Sequence, residues 1–169
     1  KTFYQPAIDV VLGRGGPVVA ANAPRRYVRH ARIKGEASLP TDQPRSLWFD
    51  LPSNLDDASY RKKFFDLMGE STDPTIGDQF FLAQRIWDAS MGKSLADLRA
   101  SGAQPAILLV GGFHVVDQGG TVLEYTHHRP SDELLIVSLV PEQKTILPQE
   151  LLGTADIIIL TGSRDEVDQ

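Results

Sequence analysis

The sequence predicts an α/β fold, a mainly parallel sheet flanked by helices. Four short apolar runs, 17–21, 106–110, 134–140 and 156–160, are bounded by Gly, Pro, Asn or Thr, the signature of buried strands. Helical spacing of apolar residues fills much of the remaining chain. Strands alternating with helices pair in parallel and are covered on both faces. With 169 residues, no internal repeat and no long linker, the chain reads as a single α/β domain over residues 1–169.

The elements follow in order. Tyr4, Ile8, Val11 and Leu12 recur at helical spacing until Gly13, Gly15 and Gly16 stop the helix. The first strand, Pro17 to Ala21, leads to Asn22, a candidate cap, and Pro24, suited to the first turn of a helix carrying Tyr27, Val28 and Ala31. Residues 35–56 lack any period and read as an irregular loop pinned by Trp48 and Phe49. A short helix over Ser59–Gly69 carries Tyr60, Phe64, Phe65, Leu67 and Met68. The longest periodic segment, 77–100, aligns Phe80, Gln84, Trp87, Met91, Leu95 and Leu98 on one face before Gly102. Strands over 106–110, 134–140 and 156–160 complete the sheet, and the polar end from Arg164 to Gln169 reads as loose.

Composition narrows the chemistry. Hydrophobic residues at 41% and charged residues at 23% describe a globular chain. No apolar run reaches the ~20 residues of a membrane span. The net charge of -5 and the lack of an extended basic stripe argue against a nucleic-acid partner, although five of the 17 basic residues fall in one stretch, Arg25 to Lys34. Without cysteine there is no disulfide, thiolate metal site or cysteine nucleophile. The chain opens on Lys1 inside an apolar-periodic segment, which predicts that it starts within a longer protein.

In an open α/β sheet, ligands gather beyond the carboxyl ends of the strands. Three places qualify: Asn22 to Arg25, Gly111 to His114, and Val140 to Glu142. At the second, Gly111 and Gly112 allow a sharp turn and close ligand approach, and His114 follows. An imidazole there either ligates iron, zinc, copper or cobalt or caps the loop through a carbonyl; spacing alone leaves both open. At the first, Arg25 and Arg26 near a helix start suit an anion, with solvated arginines as the simpler reading. His127 and His128 read as an exposed loop pair and His30 as part of a solvated face. Gln84 and Asp88, one turn apart, are placed to hydrogen-bond a loop or the histidine, with a structural duty the simpler reading. No nucleophile elbow, phosphate loop, His-Glu-x-x-His or dinucleotide fingerprint is present, and no catalytic residue is assigned.

Three motifs in register carry a family resemblance. Pro17-Val-Val-Ala-Ala-Asn-Ala-Pro-Arg25, Ala83-Gln-Arg-Ile-Trp-Asp-Ala-Ser-Met91 and Ile107-Leu-Leu-Val-Gly-Gly-Phe-His114, followed by Gly119-Gly120, resemble those of ChaN-like proteins. The resemblance covers about residues 1–140. It implies a ChaN/EreA-like fold, of which this chain is the C-terminal portion, because the family's earlier Gly-Glu-x-His-like segment has no match here. It further implies a bacterial cell-envelope haem-binding protein of iron uptake, often a lipoprotein; the flat apolar surface such binding needs near the strand ends would, if exposed, favour a homodimer around the ligand.

On that resemblance, Tyr27 and His114 are the first axial candidates, with His127 or His128 behind them, and Arg25, Arg26 and Arg29 are candidate propionate partners. Asn22, Gln84, Asp88 and Gly111 are expected to support the site. Kinship with the Tiki and TraB group implies an alternative, a metal-dependent hydrolase or peptidase in which His114 binds a divalent ion together with residues from an upstream segment. Non-enzymatic haem binding is the preferred expectation.

Overall fold

A computed structural model describes residues 4–42, 45–69, 73–142 and 147–162. The polar end from Arg164 onward therefore lies outside the described residues.

The architecture is helical around one long helix. Five helices are described: α1 (Gln5–Gly13), α2 (Arg25–Lys34), α3 (Ala58–Met68), α4 (Pro74–Ala100) and α5 (Gly120–His128). Two strands, β1 (Val137–Val140) and β2 (Ile157–Leu160), pair in parallel, with Val137 opposite Ile157 and Val140 opposite Leu160.

The helix α4 begins on a strong local signal. Asp73 accepts hydrogen bonds from the backbone N–H groups of Thr75 and Ile76, and Pro74 occupies the first turn, satisfying donors that have no partner inside a helix. It starts before the expected Gly77 because the capping Asp-Pro pair precedes the apolar period. Its middle is buried nearly all round, including Phe81, Ala83, Ile86, Asp88, Met91 and Gly92. Phe80, expected on the buried face, is instead 39% exposed.

At about 100° per residue, Phe81, Gln84 and Asp88 share one side of α4, Ile86 lies roughly opposite with Leu82 and Ala83 on either side of it, and Trp87 flanks that second side. The second side meets α2. Tyr27, Val28 and Ala31 pack with Ala23, Leu39, Phe49, Ala83 and Ile86, and Leu82 and Trp87 flank them. The Trp87 indole N–H donates to the Ala23 carbonyl (3.3 Å). The first side meets α3, α5 and the loop before α5, in a cluster of Tyr60, Phe64 and Phe81 backed by Phe65, Met68, Phe113 and Leu123. Tilted ring pairs at 5.3–5.8 Å, such as Phe64–Phe81 and Tyr60–Phe81, add roughly 0.5–1.5 kcal/mol each beyond burial.

Several expectations are corrected. Residues 17–21 and 106–110 form no ladder; among the described residues β1 and β2 are the only paired strands. A strand exists by exchanging backbone hydrogen bonds with a neighbour, and these two runs have none. Among the described residues the sheet is therefore a single parallel pair rather than a larger sheet covered on both faces. Ile107, Leu109, Leu135, Leu139 and Ile159 lie 45–73% exposed. Trp48 does not pin the 35–56 stretch: it is 54% exposed, and Phe49, at 7%, does so. Helix α1 forms as expected but buries no residue. Asn22 does not cap α2; Pro24 stands at that position without a side-chain bond.

Candidate functional site

The site forms where α3, α4, α5 and the Gly112–His114 turn converge on Asp88, which is fully buried. Its carboxylate gathers three donors. The Tyr60 hydroxyl donates to Oδ2 (2.8 Å), the Thr121 hydroxyl donates to Oδ1 (2.8 Å), and His114 Nδ1 lies 2.7 Å from Oδ1. A carboxylate only accepts, so Nδ1 carries the proton of the His114–Asp88 bond. Gln84 Nε2 donates to the Tyr60 oxygen (3.0 Å); its 3.0 Å approach to Nδ1 is a hydrogen bond only when Nδ1 is bare, so the proton shared with Asp88 excludes it. Burial, reinforced by the neighbouring Asp88 charge, pushes the Tyr60 phenol well above its ordinary range, so Tyr60 acts as a neutral donor.

The consequence falls on the other ring nitrogen. With the proton on Nδ1, the neutral His114 ring bears its lone pair on Nε2. No protein group among the described residues hydrogen-bonds it, and the His114 side chain keeps 19% exposure. An imidazole whose far nitrogen donates to a carboxylate is oriented and made more basic as a metal ligand.

Glycines matter here at a different place from the one expected. Gly111 has φ −63° and ψ 137°, ordinary backbone for any residue, and a methyl group on Gly112 would meet nothing closer than 3.9 Å. The sterically required pair is Gly119-Gly120. A side chain on Gly119 would collide with the His114 carbonyl, and one on Gly120 with the Asp88 carboxylate and the Tyr60 ring. The absence of side chains lets α5 start against Asp88, which brings Thr121 into reach.

A second polar knot lies beside the first on α4. Arg85 pairs with Asp57, donates to the Ser53 carbonyl (2.9 Å) and donates to Glu124 Oε1 (3.0 Å), while Ser53 N–H donates to the same oxygen (3.0 Å). It ties the 53–57 stretch to α4 and α5.

The expected site residues thus divide. Gln84, Asp88 and His114 come together, and Gly111 lies beside the His114 ring. Tyr27 stands apart, buried against Phe49 with its hydroxyl accepting from Arg26 (3.2 Å), on the side of α4 that faces away from His114. Arg25, Arg26 and Arg29 share that α2 location, and Asn22 is exposed before it. His127 and His128 end α5, about 12 Å of helix rise from Gly120, exposed and with their rings 5.3 Å apart. Among the described residues no group of three His, Asp or Glu side chains is arranged to hold a metal ion. Sequence reasoning missed Tyr60 and Thr121 as members of the site; the Gly119-Gly120 pair was the one local signal of close packing there.

These motifs in this order decide the family. The family described as "Haem-binding uptake, Tiki superfamily, ChaN" matches residues 1–124. The chain belongs to this family. The match spans the arginine helix, the Asp88 helix, the Gly112–His114 turn and the start of α5, so it contains every member of this ChaN-family site. No curated protein and no solved structure matches the chain.

Proposed function

We propose that the chain binds haem, with His114 as the axial ligand through Nε2. The observation that carries this reading is the fully buried Asp88 carboxylate on Nδ1, which leaves Nε2 as the lone-pair nitrogen of a partly exposed ring. The chemistry of the donor fits the group: one neutral imidazole suits haem iron, whereas a hydrolytic divalent ion asks for about three protein ligands. Phe113, half-buried and next to His114 in sequence, packs on Tyr60 (5.5 Å between ring centroids) and adds apolar surface to the same cluster. Tyr27 ranks behind His114 because its hydroxyl is engaged by Arg26 inside a packed cluster. When bound, haem would supply the iron and its redox chemistry; the chain's part is to orient one nitrogen. A role in envelope haem uptake rests on the family description, and pairing of two copies on the premise that an apolar surface surrounds the ligand.

The test is a haemin titration followed by absorbance. Wild-type protein is expected to give a saturable Soret shift that His114→Ala abolishes and Tyr27→Phe preserves. A shift unchanged by His114→Ala would reject His114 as the ligand; no saturable shift in the wild type would reject haem binding by this chain.

A further inference from the structure

The basic residues of α2 stand outside the His114 site and ask for a ligand of their own. Arg25, Arg26, Arg29, Arg32 and Lys34 fall within ten residues, in a chain whose overall charge is -5. None of them makes an ion pair among the described residues. Like charges one turn apart repel, so the helix carries a charge excess that an anion would relieve. Arg25, Arg26, Arg29, His30 and Lys34 line a shallow groove together with Ile33, which is 46% exposed.

An exposed aromatic ring reaches this helix, and an exposed leucine precedes that ring in sequence. Leu47 and Trp48 are 70% and 54% exposed, and the Arg26 guanidinium lies 5.7 Å from the Trp48 ring centroid. Exposed indole and leucine beside a row of cations is the composition that seats a protein at a lipid–water boundary, cations on the headgroups and apolar side chains just beneath. A nucleic acid would use the charges but gain nothing from Leu47 and Ile33. Because α2 and the His114 network occupy opposite sides of α4, this face and the proposed haem ligand do not compete for one ligand.

We propose that the outer face of α2, with Leu47 and Trp48, docks on an anionic lipid surface. The arginines meet headgroup phosphates, and Trp48 settles at the boundary with the acyl chains.

Vesicle co-sedimentation of the whole chain tests this. Phosphatidylcholine vesicles containing one-third phosphatidylglycerol are expected to bind it at low salt, pure phosphatidylcholine far less, and high salt to release it. Each basic side chain near such a surface is worth a factor of about five in partitioning. Arg25→Gln with Arg29→Gln is thus expected to weaken binding about 25-fold. Lys62→Gln with Lys93→Gln, the same change in charge on other helices, is expected to leave it nearly unaltered. Brominated acyl chains are expected to quench wild-type tryptophan fluorescence and to lose that effect in Trp48→Phe. Equal binding to both vesicle types, equal loss in the two double variants, or capture of an oligonucleotide with no vesicle binding would overturn the proposal. The arginine variant is expected to keep the wild-type haemin titration; a weakened titration with vesicle binding intact would overturn it too and assign these arginines to the haem propionates.

Discussion

Asp88 sets the state of His114, and its side chain is where single-atom changes tell most. Asp88→Asn keeps the volume but replaces one acceptor oxygen by a donor, so Tyr60, Thr121 and His114 no longer all find an acceptor. Removal of such an outer partner typically costs 10–100-fold in metal affinity. Haemin affinity of Asp88→Asn is therefore expected to fall by about one to two orders of magnitude, measured by absorbance titration, with Tyr60→Phe falling less because His114 keeps its carboxylate. Unchanged affinity in Asp88→Asn would remove Asp88 from the site's machinery.

At the scale of elements, α4 is a post with two working sides, and buried charge fastens α5 and the 53–57 stretch to it. Arg85 and Glu124 are 8% and 1% exposed. Removing one partner strands the other in the interior, at a cost of about 3–5 kcal/mol. Arg85→Met is expected to lower stability by that amount in urea unfolding, and more than Arg85→Met combined with Glu124→Leu; a single variant as stable as wild type would show the pair to be dispensable.

The far ends of α4 and α5 are joined by another charge knot. Asp132 accepts from Tyr125 (2.7 Å), Arg129 and Arg99, and the Arg129 hydrogen bonds, followed by that of Tyr125, hold its carboxyl well below the usual carboxylate range. A carboxyl depressed in the folded state adds stability above its unfolded value, near pH 4, and loses it as pH falls toward the folded value. Between pH 5 and pH 2.5, wild type is expected to lose more stability than Asp132→Asn; parallel losses would show that Asp132 is not linked to folding.

For the whole molecule, the exposed apolar rows are the dominant surface feature. Leu135 and Leu139, 67% and 66% exposed, alternate with half-buried neighbours along β1 and the residues leading into it. Large exposed apolar patches bind apolar dyes. The native chain is expected to enhance the fluorescence of anilinonaphthalene sulfonate, and Leu135→Lys with Leu139→Lys to reduce that enhancement; no reduction would place the dye elsewhere.

Local signals carried the sequence reading far. Helices α2, α3 and α4 follow from apolar period and from glycine and proline placement, which act over a few residues. His114 was legible as a site residue because a glycine turn after an apolar run is itself a local pattern. The strands over 17–21 and 106–110 were overread, because apolar runs state a preference for burial while a strand needs a hydrogen-bonding neighbour that no single segment specifies.

Residue type and spacing by themselves determined helices α1 to α4, the family, and the presence of Gln84, Asp88 and His114 in one set of motifs; α5, whose His127 and His128 read as a loop pair, they did not. Only the tertiary structure decided that those three touch, that Tyr60 and Thr121 complete them, and that Tyr27 and the arginines lie across α4. Tyr60 is 28 residues from Asp88 and reaches it only because α3 packs on α4. Periodicity places a residue on a face of its own helix; which face meets which partner is settled when the helices pack.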